Sequence, residues 1–410
     1  MKILYVCHRF PFPPQRGGKI RPFNMIRHLH EAGHRVTVAS LVRSGLEATE
    51  GEGLREYCDR YVTGRVSTAR QWTRMLMRLP TAVPSSMAYF YSSELELKIR
   101  EALVKQSFDL ILVHCSSVAQ YVAAVGDTPK ILDFGDMDSQ KWLAYACFKP
   151  WPASFGYRLE GHKLEVAERA LTKRFDLCTC TTRVELETLN RFSTGTQTDW
   201  FPNGVDHDYF RPSTEPYDPD TLCFIGRMDY YPNQQAMLWF CREVLPALQA
   251  RRSGIRLLIV GADPSSAVQR LARLPGVTVT GSVPDVRPYV RRSAVNVAPL
   301  FIARGTQNKI LESMAMGVPV VASRPAAGGI DAVPDEHFVI ATTAEEYVEA
   351  ILHLLESPIE RARLSHAGRA QVCSRHDWRA SMRKLDEIIA GVLQQAEQRM
   401  WSGRSVAAQK

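Results

Sequence analysis

Short apolar runs alternate with stretches whose apolar residues recur every three or four positions along most of the chain. Residues 2–7, KILYVC, read as a buried strand. The Pro- and Gly-rich loop HRFPFPPQRGGK follows. Residues 20–32 then read as a helix with Ile26 and Leu29 inward, ending at Gly33, and residues 36–41 as a second buried strand. Strand, loop, helix, strand is the opening of a doubly wound α/β domain. Further strands are expected at 108–113 and 175–181, and helices at 157–173 and 183–189. Residues 212–219 are rich in Pro, Ser, Thr and Glu and read as a linker. A strand at 222–225, a Gly226–Arg227 loop and a helix from about Asn233 then repeat the opening. Strands at 257–260, 277–280, 294–299 and 338–341 and helices at 345–355, 359–373 and 378–395 complete the second half. The tail from Trp401 is expected to fray.

The segment 304–323, RGTQNKILESMAMGVPVVAS, carries the densest signal. It predicts a loop, a helix opened by Gly305 and Thr306, a turn and a strand at 318–322. Ile310, Leu311, Met314 and Ala315 fall on one helical face. Gly317 supplies a left-handed cap, and Pro319 stands where a helix cannot continue. Lys309 lies in the first turn and Glu312 one turn deeper on the same face. A helix N-terminus with an adjacent cation suits a phosphate, and a carboxylate there can accept from two vicinal hydroxyls, as on a ribose. By spacing alone, the pattern equally describes an amphipathic helix with two solvated charges.

Other positions carry candidate chemistry. Gly17 and Gly18 permit close backbone approach to a phosphate, with Lys19 beside them; a tight turn reads the same way. The dinucleotide fingerprint G-x-G-x-x-G is absent from this loop. His114 ends a strand, where ligands of such sheets bind. Asp133, Asp136 and Asp138 cluster at another strand end. Carboxylates so grouped suit magnesium, but acceptor-hydroxyl binding or helix capping by Asp138 or Ser139 is preferred. In the segment 65–79, which opens at Arg65, Trp72, Met75, Leu76 and Leu79 form one stripe, with Arg70, Arg74 and Arg78 opposite. The stripe either packs on its own domain or lies on an anionic membrane surface.

The segment 304–323 resembles the C-terminal signature of retaining family 4 glycosyltransferases, which have the GT-B fold. There a helix-borne glutamate followed by Ala-x-Gly-x-Pro-Val-Val holds the nucleotide ribose, and ESMAMGVPVVAS matches from Glu312 onward. NGVD at 203–206, with Phe210 and Pro212 following, matches a hallmark at the domain junction. RGTQNKILE is similar to a bacterial subgroup of sugar transferases associated with exosortase-linked exopolysaccharide loci. One position departs: the family's second glutamate, eight residues before Glu312, is Arg304 here.

The resemblance implies an α/β protein of two Rossmann-like doubly wound domains facing across a cleft. Their expected bounds are 1–211 and 221–375, joined by a linker at 212–220, with a helix at 376–400 crossing back to the first domain. It implies a retaining hexosyltransferase moving a sugar from a nucleotide-diphosphate sugar to a glycan or lipid-linked acceptor. The implied catalytic residues are His114, Arg227, Lys309 and Glu312. Donor contacts fall to Gly17, Gly18, Gly226, Ser282, Val283, Arg304, Gly305, Thr306, Gln307, Ile310 and Leu311, and acceptor contacts to Lys19 and Asp136. No cofactor and no metal is expected beyond the donor substrate. Two other classes fit the same fold: a nucleotide-sugar epimerase, and a non-catalytic scaffold, to which Arg304 lends weight.

Composition narrows the setting. With 410 residues, two domains can each hold a core. No run of 18 uncharged apolar residues appears, so no transmembrane helix is expected. MKILYVCH enters a strand directly and does not read as a signal peptide. Nine cysteines are scattered without zinc-like spacing, which fits a reducing cytoplasm. A cytoplasmic protein, peripheral on the inner face of the cell membrane where the 65–79 stripe meets lipid, is expected. Net charge is +8: residues 1–200 carry 27 Lys and Arg against 21 Asp and Glu, and residues 201–410 carry 24 against 22. The basic first half points to anionic partners. No nucleic-acid module is present in the sequence, and no nucleic-acid partner is expected.

Overall fold

The central strand segments are apolar on both faces because they pair in parallel and are covered on both sides. In the computed structural model, β1 (Lys2–Cys7), β2 (Arg35–Val42), β3 (Arg60–Arg65), β4 (Leu110–His114), β5 (Lys130–Asp133), β6 (Leu177–Cys180) and β7 (Gln197–Trp200) form one parallel sheet. Its order is β3-β2-β1-β4-β5-β6-β7. A second parallel sheet holds β8 (Asp218–Ile225), β9 (Arg256–Val260), β10 (Val277–Gly281), β11 (Ser293–Ala298), β12 (Val320–Ala322) and β13 (Val339–Ile340), in the order β10-β9-β8-β11-β12-β13. The structure describes residues 1–14, 16–66, 68–193 and 195–407; the side chains of 46, 48, 50, 68–70, 400 and 402–407 lie outside that description. Arg70 of the predicted arginine face is among them.

The chain divides into two compact units, Met1–Phe201 together with the chain from Met382, and Pro202–Ser381. Leu4, Val6, Ile111, Val113 and Leu132 centre the first core, with Ile99 and Leu189 packed on it. Phe224, Val295, Val297, Ile310, Leu311 and Val321 centre the second. Each unit is thus a doubly wound Rossmann-like domain, the architecture of GT-B proteins. In both sheets the strand order reverses beside the first strand, at β1/β4 and at β8/β11. The crevice outside such a reversal is where ligands of open α/β sheets bind.

Several local expectations are corrected. The first helix is Gly17–Glu31, so Gly17, Gly18 and Lys19 form its first turn rather than a loop. Arg65 belongs to β3, and the following helix is Thr68–Arg78. The helix expected to open at Gly305 and Thr306 starts at Asn308, because Gly305 takes a left-handed φ of 62°. The last helix continues as Trp378–Ala407, so the tail past Trp401 keeps helical backbone. Edge strand β7, QTDW, lacks the apolar run by which buried strands are recognised.

One buried ion pair ties the first unit together. Arg21, on the helix Gly17–Glu31, donates from Nε and NH2 to the two Asp133 oxygens at 2.8 and 2.9 Å. Its NH1 donates to the Phe201 carbonyl at 3.0 Å, and its guanidinium lies 3.7 Å from the Phe201 ring centre. Thr179 Oγ1 donates to Asp133 at 2.9 Å. Burial alone would raise the Asp133 carboxyl, but Arg21 and then His114 hold it well below the usual carboxylate range. Arg21→Ala leaves a buried carboxylate uncompensated and should cost about 3–5 kcal/mol in urea denaturation at neutral pH. Because the folded-state pKa is depressed, this contribution is complete above the unfolded carboxylate pKa of about 4 and is lost as pH falls below it. The Arg21→Ala deficit should therefore shrink in acid.

Candidate functional site

In the second unit, two glycines clear the space beside β8. A Cβ on Gly261 would lie 1.9 Å from the Gly226 carbonyl oxygen. A Cβ on Gly226 would lie 2.8 Å from Asn233 Nδ2 and 3.0 Å from Lys309 Nζ. Only bare backbone lets these groups converge. Lys309 Nζ donates to Asn233 Oδ1 at 2.6 Å and sits 4.3 Å from the Phe224 ring centre. Asn233 Nδ2 in turn donates to the Arg227 carbonyl at 2.8 Å, which fixes the amide with its oxygen toward the lysine. Lys309 and Glu312 are half-buried, with their heads crowded by protein. Burial pushes the Lys309 ammonium well below the ordinary lysine range, opposed by Glu312. Burial pushes the Glu312 carboxyl up, opposed by Lys309.

The helix Asn308–Ala315 projects both residues. Its N-cap, Gln307, makes no side-chain capping bond. The first helical bonds run from the Ile310 and Leu311 amides to the Gln307 carbonyl, leaving the Asn308 and Lys309 amides ahead of them. Thr306 Oγ1 and Asn308 Oδ1 are buried without a hydrogen-bond partner in the protein. Gln307 Nε2 donates to the Arg304 carbonyl at 3.1 Å, and Arg304 itself is half-buried. A Cβ on Gly329 would lie 2.0 Å from the Gly305 oxygen, so the segment packs backbone to backbone. Uncapped amides, a cation, a carboxylate and two unsatisfied polar atoms meet at one helix end, an arrangement suited to a phosphorylated, hydroxylated ligand.

Other predicted donor residues are placed differently. Arg227 pairs with Asp229 at 2.7 Å and also with Asp263, because the loops after neighbouring β8 and β9 bring those carboxylates to it. Any anion reaching Arg227 competes with both. Ile310 and Leu311 are wholly buried core residues, so their side chains are removed from any donor. Ser282 is exposed, while Val283 packs against the small apolar cluster that includes Cys223, Ile225, Val260 and Met316.

In the first unit, His114 ends β4, and its Nδ1 lies 2.7 Å from Asp133 Oδ2. The ionised carboxylate accepts, so Nδ1 donates to it and Nε2 is the ring nitrogen turned away from it. A Cβ on Gly135 would fall 3.2 Å from His114 Cε1. His8 follows β1 with its ring centre 5.8 Å from that of His114, and Arg9 Nε donates to His8 Nε2 at 3.2 Å. A Cβ on Gly18 would lie 3.3 Å from Arg9 Cδ, and one on Gly17 would meet open space. Lys19, expected at an acceptor, is instead buried on Glu47 at 2.8 Å. Asp136 accepts from Thr181 Oγ1 at 3.2 Å, and Asp138 from Cys115 Sγ at 3.6 Å. Asp133 is held by Arg21, so the three carboxylates have separate partners. The helix at 138 is capped by neither Asp138 nor Ser139: Met137 is its N-cap and Ser139 donates to Glu168.

Sequence reading missed Asn233, Arg21, His8 and Arg9. Asn233 was legible only as a helix start. Its partner Lys309 lies 76 residues away. Asn233→Ala should cost about 1–3 kcal/mol in urea denaturation, because it strips the acceptor from a half-buried ammonium. Asn233→Asp should retain the contact and lose less.

Residues 219–357 match the family model described as "Glycosyl transferases group 1". A GDP-mannose-dependent monoacylated alpha-(1-6)-phosphatidylinositol monomannoside mannosyltransferase of Corynebacterium glutamicum is 25% identical over 213 residues, covering 46% of this chain and 55% of that protein. The match thus spans about half the length of that curated relative. Among solved structures, the sucrose-phosphate synthase of Thermosynechococcus elongatus superposes with a TM-score of 0.71 at 17% identity, over 96% of this chain and 99% of that one. Anabaena Alr3699/HepE in complex with UDP-glucose gives 0.67 at 14% identity, over 95% of this chain and 100% of that one. Those likenesses establish the GT-B fold for the whole chain, and within it residues 219–357 are similar to the glycosyl transferases group 1 family.

Proposed function

We propose that the protein transfers a sugar from a nucleotide-diphosphate sugar to an acceptor hydroxyl. The observation that carries this is the end of the helix Asn308–Ala315, where Lys309, held by Asn233 under Gly226, adjoins uncapped amides and the orphaned Thr306 and Asn308 oxygens. The diphosphate binds Lys309 and the helix N-terminus. Glu312 accepts from the ribose hydroxyls and positions the nucleotide. As the bond from the anomeric carbon to the diphosphate breaks, negative charge grows on the leaving phosphate and the sugar becomes oxocarbenium-like. Preorganised positive charge at Lys309 stabilises that change and supplies what a metal supplies elsewhere. Arg227 joins only by exchanging Asp229 or Asp263 for phosphate oxygens.

The donor class draws support from the relatives: one is named for GDP-mannose and another was solved with UDP-glucose. Retention at the anomeric carbon, a hexose as the transferred sugar and a role in exopolysaccharide assembly follow from the resemblance of the 304–323 segment. No helix among the described residues is long and apolar enough to cross a membrane. A lipid-linked acceptor would reach the enzyme at an anionic membrane surface, along the helix Thr68–Arg78.

Melting of the protein with UDP, GDP, ADP and TDP tests the reading. A diphosphate at about 100 times its Kd should stabilise by ~2.7 kcal/mol. Lys309→Ala and Glu312→Ala should each abolish the shift. Failure of all four at millimolar concentration, or a shift that survives both substitutions, sinks the proposed site. Lys309 loses its proton below the ordinary lysine range, so diphosphate affinity should fall as pH rises above neutrality. An exposed lysine would hold its charge to about pH 10, and affinity unchanged up to there would contradict the buried-lysine contact.

A further inference from the structure

The helix Thr68–Arg78 is amphipathic in the reverse of the usual sense. Its polar side packs inward: Gln71 is buried, and Arg74 donates to the Tyr91 carbonyl at 2.8 Å with its guanidinium 5.2 Å from the Tyr91 ring centre. Its apolar side faces out, with Trp72 53%, Leu76 58% and Met77 69% exposed. Leu79 and Val83 extend that apolar surface past the helix end.

A second apolar projection lies in the same unit. The helices Asp138–Ala146 and Ala153–Thr172 pack as a hairpin. At its tip Phe148 and Trp151 are exposed, Trp151 at 82%, and Phe155 and Leu159 continue outward along the second helix. Two anchors join the projections. Lys163 Nζ donates to the Arg78 and Leu79 carbonyls at 3.2 and 2.7 Å. The buried Glu160 carboxylate accepts from the Ser85 and Ser86 amides at 3.0 and 2.7 Å. Leu159 and Phe155 lie one and two turns before Lys163 on the same helical stripe. Through Lys163 the helix that carries this stripe is bound to the chain at Leu79, so the two apolar surfaces are neighbours within one unit.

Charge selects the occupant. Residues 68–83 contain three arginines and no carboxylate. Residues 141–163 contain Lys141, Lys149, Arg158 and Lys163 against the single Glu160, which is buried on the serine amides. An apolar face with Trp and Phe at its tip, carried on segments so rich in cations and poor in carboxylates, matches the interface of an anionic bilayer.

We infer that the helix Thr68–Arg78 and the hairpin tip carrying Phe148, Trp151 and Phe155 form one face that docks on an anionic lipid bilayer. This deepens the membrane part of the proposed function and does not depend on the sugar-transfer chemistry.

Co-sedimentation of the full chain with vesicles tests it. Vesicles of equal parts phosphatidylcholine and phosphatidylglycerol should bind at least about tenfold tighter than phosphatidylcholine alone. The pair Leu76→Ser with Met77→Ser and the pair Trp151→Ser with Phe155→Ser should each weaken binding by about tenfold or more. All four residues are exposed, so melting should hold. Ile359→Ser, 84% exposed in the other unit, should bind as the parent does. Equal binding to both vesicles, or full binding by either double variant, overturns the inference. So does a dimer in lipid-free light scattering that the same substitutions dissociate, since the face would then cover a second copy. Diphosphate-induced melting shifts are read separately, so their absence bears on the transfer reaction alone.

Discussion

A lysine ammonium held away from bulk water is the constraint on which the second unit turns. Removing a charge from water is expensive, and the protein meets that cost at Lys309 with one amide oxygen, one aromatic face and one carboxylate. Each partner comes from a different element. Asn233 comes from the helix Tyr231–Trp239, Phe224 from β8 and Glu312 from the next turn of the same helix. They converge only because Gly226 and Gly261 carry no side chains. The arrangement keeps the ammonium fixed in place and incompletely neutralised, which is what a preorganised anion site requires.

The first unit uses the same kind of economy around Asp133. One carboxylate receives Arg21, Thr179 and His114, so a structural ion pair also orients a histidine at the end of β4. The imidazole that faces the crevice of this sheet is thereby set in one tautomer by a core interaction. Perturbing the core here would disturb both stability and the orientation of that ring. The neighbouring His8 and Arg9 follow β1 on the other side of the same topological switch.

Apolar side chains of the helix Thr68–Arg78 are turned to solvent while its Gln71 and Arg74 are turned inward. A periodicity rule reads the apolar stripe as the inward face, because hydrophobic burial ordinarily decides orientation. Here the reversed orientation is held by Arg74 on Tyr91 and by Lys163 on the Arg78 and Leu79 carbonyls.

Much of the architecture was legible in the sequence. Fully buried parallel strands need unbroken apolar runs, and such runs marked β1, β2, β4, β8, β9 and β11 directly. Strand–loop–helix repetition implied two doubly wound units, and the helix-borne Lys309 and Glu312 were legible from spacing and from the family signature. Edge strand β7 escaped because a strand paired on one side alone has no need of an apolar run. Residues that act through distant partners escaped as well. Arg21 finds Asp133 across 112 positions, and Asn233 finds Lys309 across 76. The engagement of Arg227 by Asp263, of Lys19 by Glu47 and the complete burial of Ile310 and Leu311 likewise depend on which loops the sheet order brings together. Local sequence determines which segments become strands and helices, because backbone propensity and apolar periodicity act over a few residues. Which charge meets which, and which face of a helix meets water, was decided only by tertiary structure, because those energies depend on atoms far apart along the chain.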